Sequence, residues 1–309
     1  MILLKGKTYW ITGATGRLGT EISFRLEKLG AEVVPLILSD HYQSPKRVKW
    51  IAKASPIIVK DKSDLTSLPT ANHVINFHWL VNRNLSFSEQ LLYELEVNIH
   101  NNSFLWEWIK DKSIESFLHI SSIKIYSCLN HSPVLNTTEA QPVTPYGLMK
   151  YFSEKFFDAV FKDSTFRVAH LRLGSIASFG ENPSQLITKL YNSAFNGKHI
   201  KINTNHKTHL IYIDDIVDLI INASLVGSEK IYNLVSEGWM NEEIAKTFER
   251  ISERTLKADY FDFCPGQDNL LFISDVDKLK ADWVCKTSLE LMIHKIINQY
   301  LSDSDSKCL

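Results

Sequence analysis

The stretch Thr12-Gly13-Ala14-Thr15-Gly16-Arg17-Leu18-Gly19 decides the fold. It follows a short apolar run, Thr8 to Ile11, and opens an amphipathic segment from Arg17 to Leu29, so the glycines fall at a strand-to-helix turn. Glycine there lets the backbone approach a pyrophosphate, whose charge is met by free N–H groups and the positive end of the helix. The spacing is T-G-x-x-G-x-x-G rather than G-x-G-x-x-G. Alone, the loop also fits a tight turn and nothing more. Its place at the first strand of an alternating pattern favours a dinucleotide held by Gly13, Thr15, Gly16, Arg17, Leu18 and Gly19.

Strand-like runs recur at Glu32 to Leu38, Ile57 to Val59, His73 to Phe77, Ser116 to Ser121 and Phe166 to Leu173. Between them lie helical patterns, one near Glu89 to Lys110 and another from Tyr146 to Phe161. This rhythm predicts an α/β fold with a Rossmann-type, doubly wound parallel sheet. Beyond residue 173 the alternation loosens into helices near Gln185 to Asn196, from Asp214 to Leu225, and a last one ending near Leu301, with Ser302 to Leu309 as a solvated tail. The expected division is an NAD(P)-binding domain at 1–173 with a return segment at about 208–228. A smaller C-terminal α/β lobe at 174–207 and 229–309 would bind substrate. Without a Pro- or Gly-rich linker, the lobe should sit directly on the sheet.

With 309 residues, 44% hydrophobic and 22% charged, the chain can build a sizeable core and is not disordered. Lys plus Arg (34) and Asp plus Glu (35) nearly cancel, so no global field draws it to nucleic acid or to an anionic membrane. Cys128, Cys264, Cys285 and Cys308 lack metal or disulfide spacing and read as free thiols. Charges at Lys5, Lys7, Glu21, Arg25 and Glu27 interrupt the early apolar residues, which excludes a signal peptide or spanning helix there and points to the cytoplasm.

At the ribose end, the second strand closes on Ile37 and Leu38, where an NAD-binding protein often carries an acid; Asp40 would serve only from a shifted loop. Arg17, Lys46 and Arg47 can instead neutralise a 2′-phosphate, which tilts the cofactor toward NADP over NAD.

Pro145-Tyr146-Gly147-Leu148-Met149-Lys150 sets Tyr146 and Lys150 on one face of a helix that Thr144 can cap and Pro145 can start. An ammonium beside a phenol favours the phenolate and brings its pKa toward the range of general acid–base work. Upstream, Ser121 and Ser122 end an apolar strand at the sheet edge where ligands bind, so Ser122 can share a substrate oxygen with Tyr146. One of the two serines is expected to satisfy backbone groups only.

With these motifs the chain resembles the extended short-chain dehydrogenase/reductases of the NAD-dependent epimerase/dehydratase type, from Thr12 to about Leu301. Asp61 and Lys62 resemble the pair that contacts adenine, and Asn98 the helix Asn that supports the active site. Leu171-Arg172-Leu173-Gly174-Ser175 resembles the strand that passes the nicotinamide, which implies cofactor contacts at Leu173 and Ser175, and Ile211-Tyr212-Ile213-Asp214-Asp215 resembles a V-D-D helix start. The stretches from Ser274 to Trp283 and at Ser288-Leu289-Glu290 resemble a closing helix region. The resemblance implies hydride transfer at a sugar carbon, with Ser122, Tyr146 and Lys150 catalytic and a nucleotide sugar as the small-molecule substrate. It implies a keto-sugar reductase or epimerase of surface polysaccharide or deoxysugar synthesis, and a homodimer built on the helices at Glu89 to Lys110 and after Tyr146.

Departures narrow the reaction. Ile123 and Lys124 stand where related dehydratases carry Asp-Glu, which ranks dehydration low. The resemblance implies that Phe77 and His78 lie against the cofactor, and His78 and Trp79 stand where the family usually has two small residues, so they either reshape the pocket or turn aside into packing. Ser122, Lys124, Ser175, Thr208 and His209 are the candidate substrate contacts, with Thr208 where the family has a diphosphate-gripping Arg. These changes keep open a reductase of a non-sugar carbonyl and a non-catalytic NAD(P)-binding regulatory protein.

Overall fold

A computed structural model describes residues 4–38, 56–66, 68–127, 130, 132–179, 185–236, 238–262, 270–279 and 287–305. Asp40, Lys46, Arg47, Trp283 and the four cysteines lie outside the described residues. The first half runs β1 (Thr8–Thr12), α1 (Arg17–Lys28), β2 (Glu32–Ile37), β3 (Ile57–Ile58), α2 (Lys62–Thr66), β4 (His73–Asn76), α3 (Phe87–Asn98), α4 (Ser103–Lys110) and β5 (Ser116–Ser122). Then come α5 (Pro145–Val160), β6 (Arg167–Leu173), β7 (Ser175–Ala177), α6 (Leu186–Asn196), β8 (Ile200–Asn203), β9 (Lys207–Thr208) and β10 (Leu210–Tyr212). The chain ends with α7 (Ile213–Val226), β11 (Ile231–Leu234), β12 (Trp239–Met240), α8 (Asn241–Ser252), β13 (Ala258–Phe261) and α9 (Leu289–Asp305).

Seven parallel strands form the sheet in the order β11-β6-β5-β4-β1-β2-β3. The order reverses between β1 and β4, which opens the ligand crevice of a doubly wound sheet at their C-terminal ends. Period-two alternation gives the sheet two apolar faces. Phe117 and Val74 face Trp106 of α4, Phe157 of α5 and Phe161 just beyond it. Ile11, Ile75, Leu118 and Leu171 belong to a second core that runs without a break into Ile187, Phe248 and Ile293 of the C-terminal lobe. The lobe therefore rests directly on the sheet. Between them lies α7, buried on nearly every side. Its polar groups are paired: Asp218 with Arg25 of α1, Asp215 with Thr287 at 2.7 and 2.9 Å, and Asn222 with the Leu279 carbonyl at 2.5 Å.

Three expectations change. The segment from 229 does not belong wholly to the lobe, because β11 pairs with β6 as the last strand of the main sheet. The single long helix from Glu89 to Lys110 is broken by a 3-10 turn at His100–Asn102. There Asn102 donates its amide to the Val97 carbonyl at 2.9 Å, competing with the helical ladder. The last helix continues to Asp305, through residues expected in the tail.

Two histidines buried in this frame are held neutral. His73, stacked on Tyr9 at 4.6 Å and bonded to Ser116 at 2.9 Å, and His78 are both pushed down to about 4, chiefly by burial. A folded-state value below the unfolded one of about 6.5 means that stability is complete above pH 6.5 and is lost as pH falls toward 4. Each histidine should remove on the order of 3 kcal/mol across that window. Urea unfolding at stepped pH checks this: the slope should flatten in His73→Asn, and an unchanged slope would contradict it.

Candidate active site

The glycine loop lies between β1 and α1 as the spacing predicts. Gly13 turns the chain at φ +66°, and the Gly16 N–H closes onto the Gly13 carbonyl at 2.9 Å. A Cβ at Gly19 would lie 2.3 Å from that carbonyl, so helix and loop meet only through glycine. Gly16 is the N-cap and provides no side-chain cap, leaving first-turn N–H groups of Arg17, Leu18 and Gly19 toward the crevice. Thr15 and Leu18 are partly buried in the same turn. Arg17 pairs with Glu21 at 3.7 Å, and its buried Nε has no partner among the described residues. A bare helix terminus, a backbone turn and an unpartnered guanidinium nitrogen suit a diphosphate.

Asp61 caps α2 through Ser63, at 2.7 Å to the amide and 2.5 Å to the hydroxyl, and these bonds hold its carboxyl below its ordinary range; Lys62 is exposed beside it. Past β4, the backbone of Phe77 and His78 presses on Gly13, where a Cβ would come within 2.8 Å. The His78 side chain turns away, its Nε2 facing the Val97 carbonyl at 3.2 Å and the Asn102 amide at 3.3 Å. Its ring is thus packing, and only the His78 backbone lies against the glycine loop. Trp79 instead faces the site. Asn98 holds the loop by accepting from the Leu80 N–H at 2.6 Å and donating to its carbonyl at 2.9 Å.

Ser122, Tyr146 and Lys150 converge at the ends of β5 and α5. Thr144 caps α5 by accepting from the Gly147 N–H at 3.1 Å, with Pro145 in the first turn. The helix start lies so close to the turn after Ser122 that a Cβ at Gly147 would stand 2.1 Å from the Lys124 carbonyl. This contact sets Tyr146 beside Ser122. Burial raises the Tyr146 pKa, while the Ser122 hydroxyl opposes the rise. The expectation that Lys150 would draw the phenol toward phenolate is not met: its Nζ stands 6.0 Å from the Tyr146 ring centre, and desolvation is the largest influence on the phenol. Tyr146 is poised as a proton donor.

Lys150 is itself buried, donates to the Ile120 carbonyl at 2.8 Å, and is brought down to about 7 by burial. The Trp79 ring centre lies 3.9 Å from its Nζ, and the indole N–H donates to Glu94 at 3.0 Å. A buried chain supports this corner: Thr12 donates to Asn76 at 2.5 Å, Asn76 meets His119 at 3.2 Å, and His119 meets Ser153 at 2.8 Å. Ser153 in turn donates to the Lys150 carbonyl at 2.7 Å. None of Asn76, Glu94 or Ser153 stood out in the sequence; the regular spacing of Gln90, Glu94 and Asn98 on one face of α3 was the available signal.

The remaining candidates are divided. Leu173 is buried at the end of β6, and Ser175 is exposed just beyond it, its N–H bonded to the His209 carbonyl at 2.9 Å. Lys124 is exposed next to Ser122. Thr208 donates to Asn241 at 2.6 Å, and the His209 ring lies between the carbonyls of Ser236 and Leu270 at 2.8 and 3.2 Å. Their polar atoms are taken up in holding the lobe together. Among the described residues no cluster of His, Cys, Asp and Glu could hold a metal ion, and no helix is long and apolar enough to cross a membrane.

Among solved structures the chain is similar to UDP-glucose 4-epimerase from Thermotoga maritima, with TM-score 0.81 and 17% identity over 96% of this chain and 99% of that one. It is also similar to UDP-glucuronic acid 4-epimerase from Bacillus cereus, crystallised with UDP-glucuronic acid and NAD (0.78, 19%, 95% and 99%). An NAD-dependent NDP-hexosamine 5,6-dehydratase of tunicamycin biosynthesis matches as well (0.80, 16%, 96% and 98%). No curated protein matches in a sequence search. The model of the NAD dependent epimerase/dehydratase family matches residues 9–234, which span the glycine loop, the Ser122, Tyr146 and Lys150 corner and the last strand of the sheet. The chain belongs to the NAD-dependent epimerase/dehydratase family.

Proposed function

We propose that this chain is an NAD(P)-dependent oxidoreductase that acts at a ring carbon of a nucleotide-activated sugar, as a keto-sugar reductase or an epimerase. The observation that carries the reading is the convergence of Ser122, Tyr146 and Lys150 beside the glycine loop, with Tyr146 held as a phenol. A nicotinamide dinucleotide, when bound, supplies the hydride acceptor or donor. The loop from Gly13 to Gly19 receives the diphosphate, Asp61 and Lys62 flank the adenine, and Asn98 supports the wall of the pocket. Lys150 holds a ribose hydroxyl. Tyr146 gives or takes the proton at the sugar oxygen, and Ser122 hydrogen-bonds that oxygen. Lys124 and Ser175 meet the substrate directly, whereas Thr208 and His209 shape the lobe that covers it.

Dehydration is disfavoured because Ile123 and Lys124 bring no carboxyl to the turn after Ser122. Reductase and epimerase differ in whether the dinucleotide leaves after each turnover. Acid release of nucleotide from the purified protein separates them: one retained NAD per chain identifies the epimerase, and an empty protein that binds NADPH identifies the reductase. The NADP preference rests on Arg17, Lys46 and Arg47, and comparing NADH with NADPH in the same titration tests it. A smaller non-sugar carbonyl is the second reading, favoured by the internal pairing of Thr208 and His209.

The outward faces of α3 and α5 support a homodimer. These helices pack together, and Leu92 (68% exposed), Leu95 and Leu148 (37% each) and Phe152 (42%) point away from the core. Sedimentation should show a dimer that Leu92→Glu with Phe152→Glu converts to monomer; a monomeric wild type would contradict this.

A further inference from the structure

Glu94 is a carboxylate with no exposed surface, on the inner face of α3. Such a group is costly to bury without a cation. Its direct partners are neutral: it accepts from the Gln90 amide at 2.5 Å and from the Trp79 indole N–H at 3.0 Å. The indole in turn lies 3.9 Å from the Lys150 ammonium. We propose that Glu94 and Trp79 are positioning residues for Lys150, the carboxylate fixing the indole over the ammonium and supplying the negative charge that favours the charged form of Lys150 in a dry site.

The platform is fixed. Asn98 clamps Leu80 through two hydrogen bonds, His78 is seated on the Val97 carbonyl, and both flank Trp79 from α3 and its loop. Gln90, Glu94 and Asn98 thus form one inward stripe whose bonds fix the carboxylate and the loop that carries the indole.

The charged and titratable groups around Lys150 leave Glu94 as its counter-charge. From β5 and the β4 loop come His119 and His78, both kept neutral by burial. From α5 come Tyr146, protonated, and Glu154, which is taken by Arg172 of β6 in a two-pronged pair at 3.0 and 2.7 Å. Burial raises the Glu94 carboxyl, and the Gln90 and Trp79 hydrogen bonds together with Lys150 and Arg83 oppose that rise; Arg83 also acts on Tyr146. Burial lowers Lys150, and of the two carboxylates that oppose it Glu94 acts more strongly than Glu154.

This inference rests on reading Lys150 as the group that holds the dinucleotide ribose, but its test uses the full chain without any dinucleotide. Lysine labelled with ¹³C at Cε reports its own ionisation by NMR, and Lys150→Met assigns the signal. Lys150 should titrate near pH 7 and show the upfield shift of a methylene over an indole face. Glu94→Gln, which keeps the shape, should lower the midpoint by about one pH unit or more. Trp79→Phe, whose smaller ring shields less and offers Glu94 no N–H, should reduce the upfield shift and lower the midpoint less. A midpoint unmoved in folded Glu94→Gln overturns the proposal. If that variant does not fold, the Trp79→Phe spectrum decides, and an unaltered Lys150 signal there overturns it. NADH binding measured in parallel separates this result from the fate of the proposed function.

Discussion

Gly19→Val is expected to weaken NADH and NADPH binding at least about 100-fold, a loss of about 2.7 kcal/mol or more. The cause is local. The first Cβ atom would enter the Gly13 carbonyl at 2.3 Å and the Ala14 Cα at 2.8 Å, both backbone atoms that cannot rotate away. Loop and helix must then separate, which disperses the N–H groups of the first turn that a diphosphate would meet. Fluorescence titration of the dinucleotide reads the loss. A circular-dichroism melt separates it from unfolding, since the clash is confined to one turn at the sheet edge. Binding within threefold of wild type would contradict this account of the loop.

The second large effect belongs to Tyr146→Phe, which should lower kcat by about 10³-fold and leave dinucleotide affinity within about twofold. The ring stays, so packing against Ser122 and the start of α5 is kept; the proton is lost. Because burial keeps the phenol protonated in the free protein, the wild type should favour the direction in which Tyr146 donates. A fall in affinity equal to the fall in turnover would mean that Tyr146 binds rather than transfers a proton.

How much of this was legible in the sequence follows from which physical signals a linear pattern carries. β1, β2, β4, β5 and β6 were found within a residue or two because they are buried on both faces and read as apolar runs. The strands after β7 were not, since β8 to β10, β12 and β13 have only two to four residues, and of these β8 alone alternates in burial. Ser122, Tyr146 and Lys150 could be read because a strand end and an i, i+4 helix pair fix their mutual position. Glu94 could not, because pattern reading assumes that a helix turns its charges outward. In α3 that order is inverted: Gln90, Glu94 and Asn98 face in, while Phe87 and Leu92 face out. The polar inner stripe serves the site and the apolar outer one suits a partner. Protonation was also beyond the sequence. An ammonium near a phenol suggested phenolate, yet Lys150 is buried, Tyr146 is half-buried, and desolvation is the largest influence on both.

The most direct test of the central claim is to incubate the purified chain with a dinucleotide and a panel of nucleotide sugars and nucleotide keto-sugars, then follow each sugar by NMR and mass spectrometry. The account predicts that at least one is reduced or inverted at a ring carbon by the wild type, and that Tyr146→Phe converts it about 10³-fold more slowly. Equal conversion by Tyr146→Phe, or a wild type that binds the dinucleotide and leaves every sugar unchanged, would contradict it.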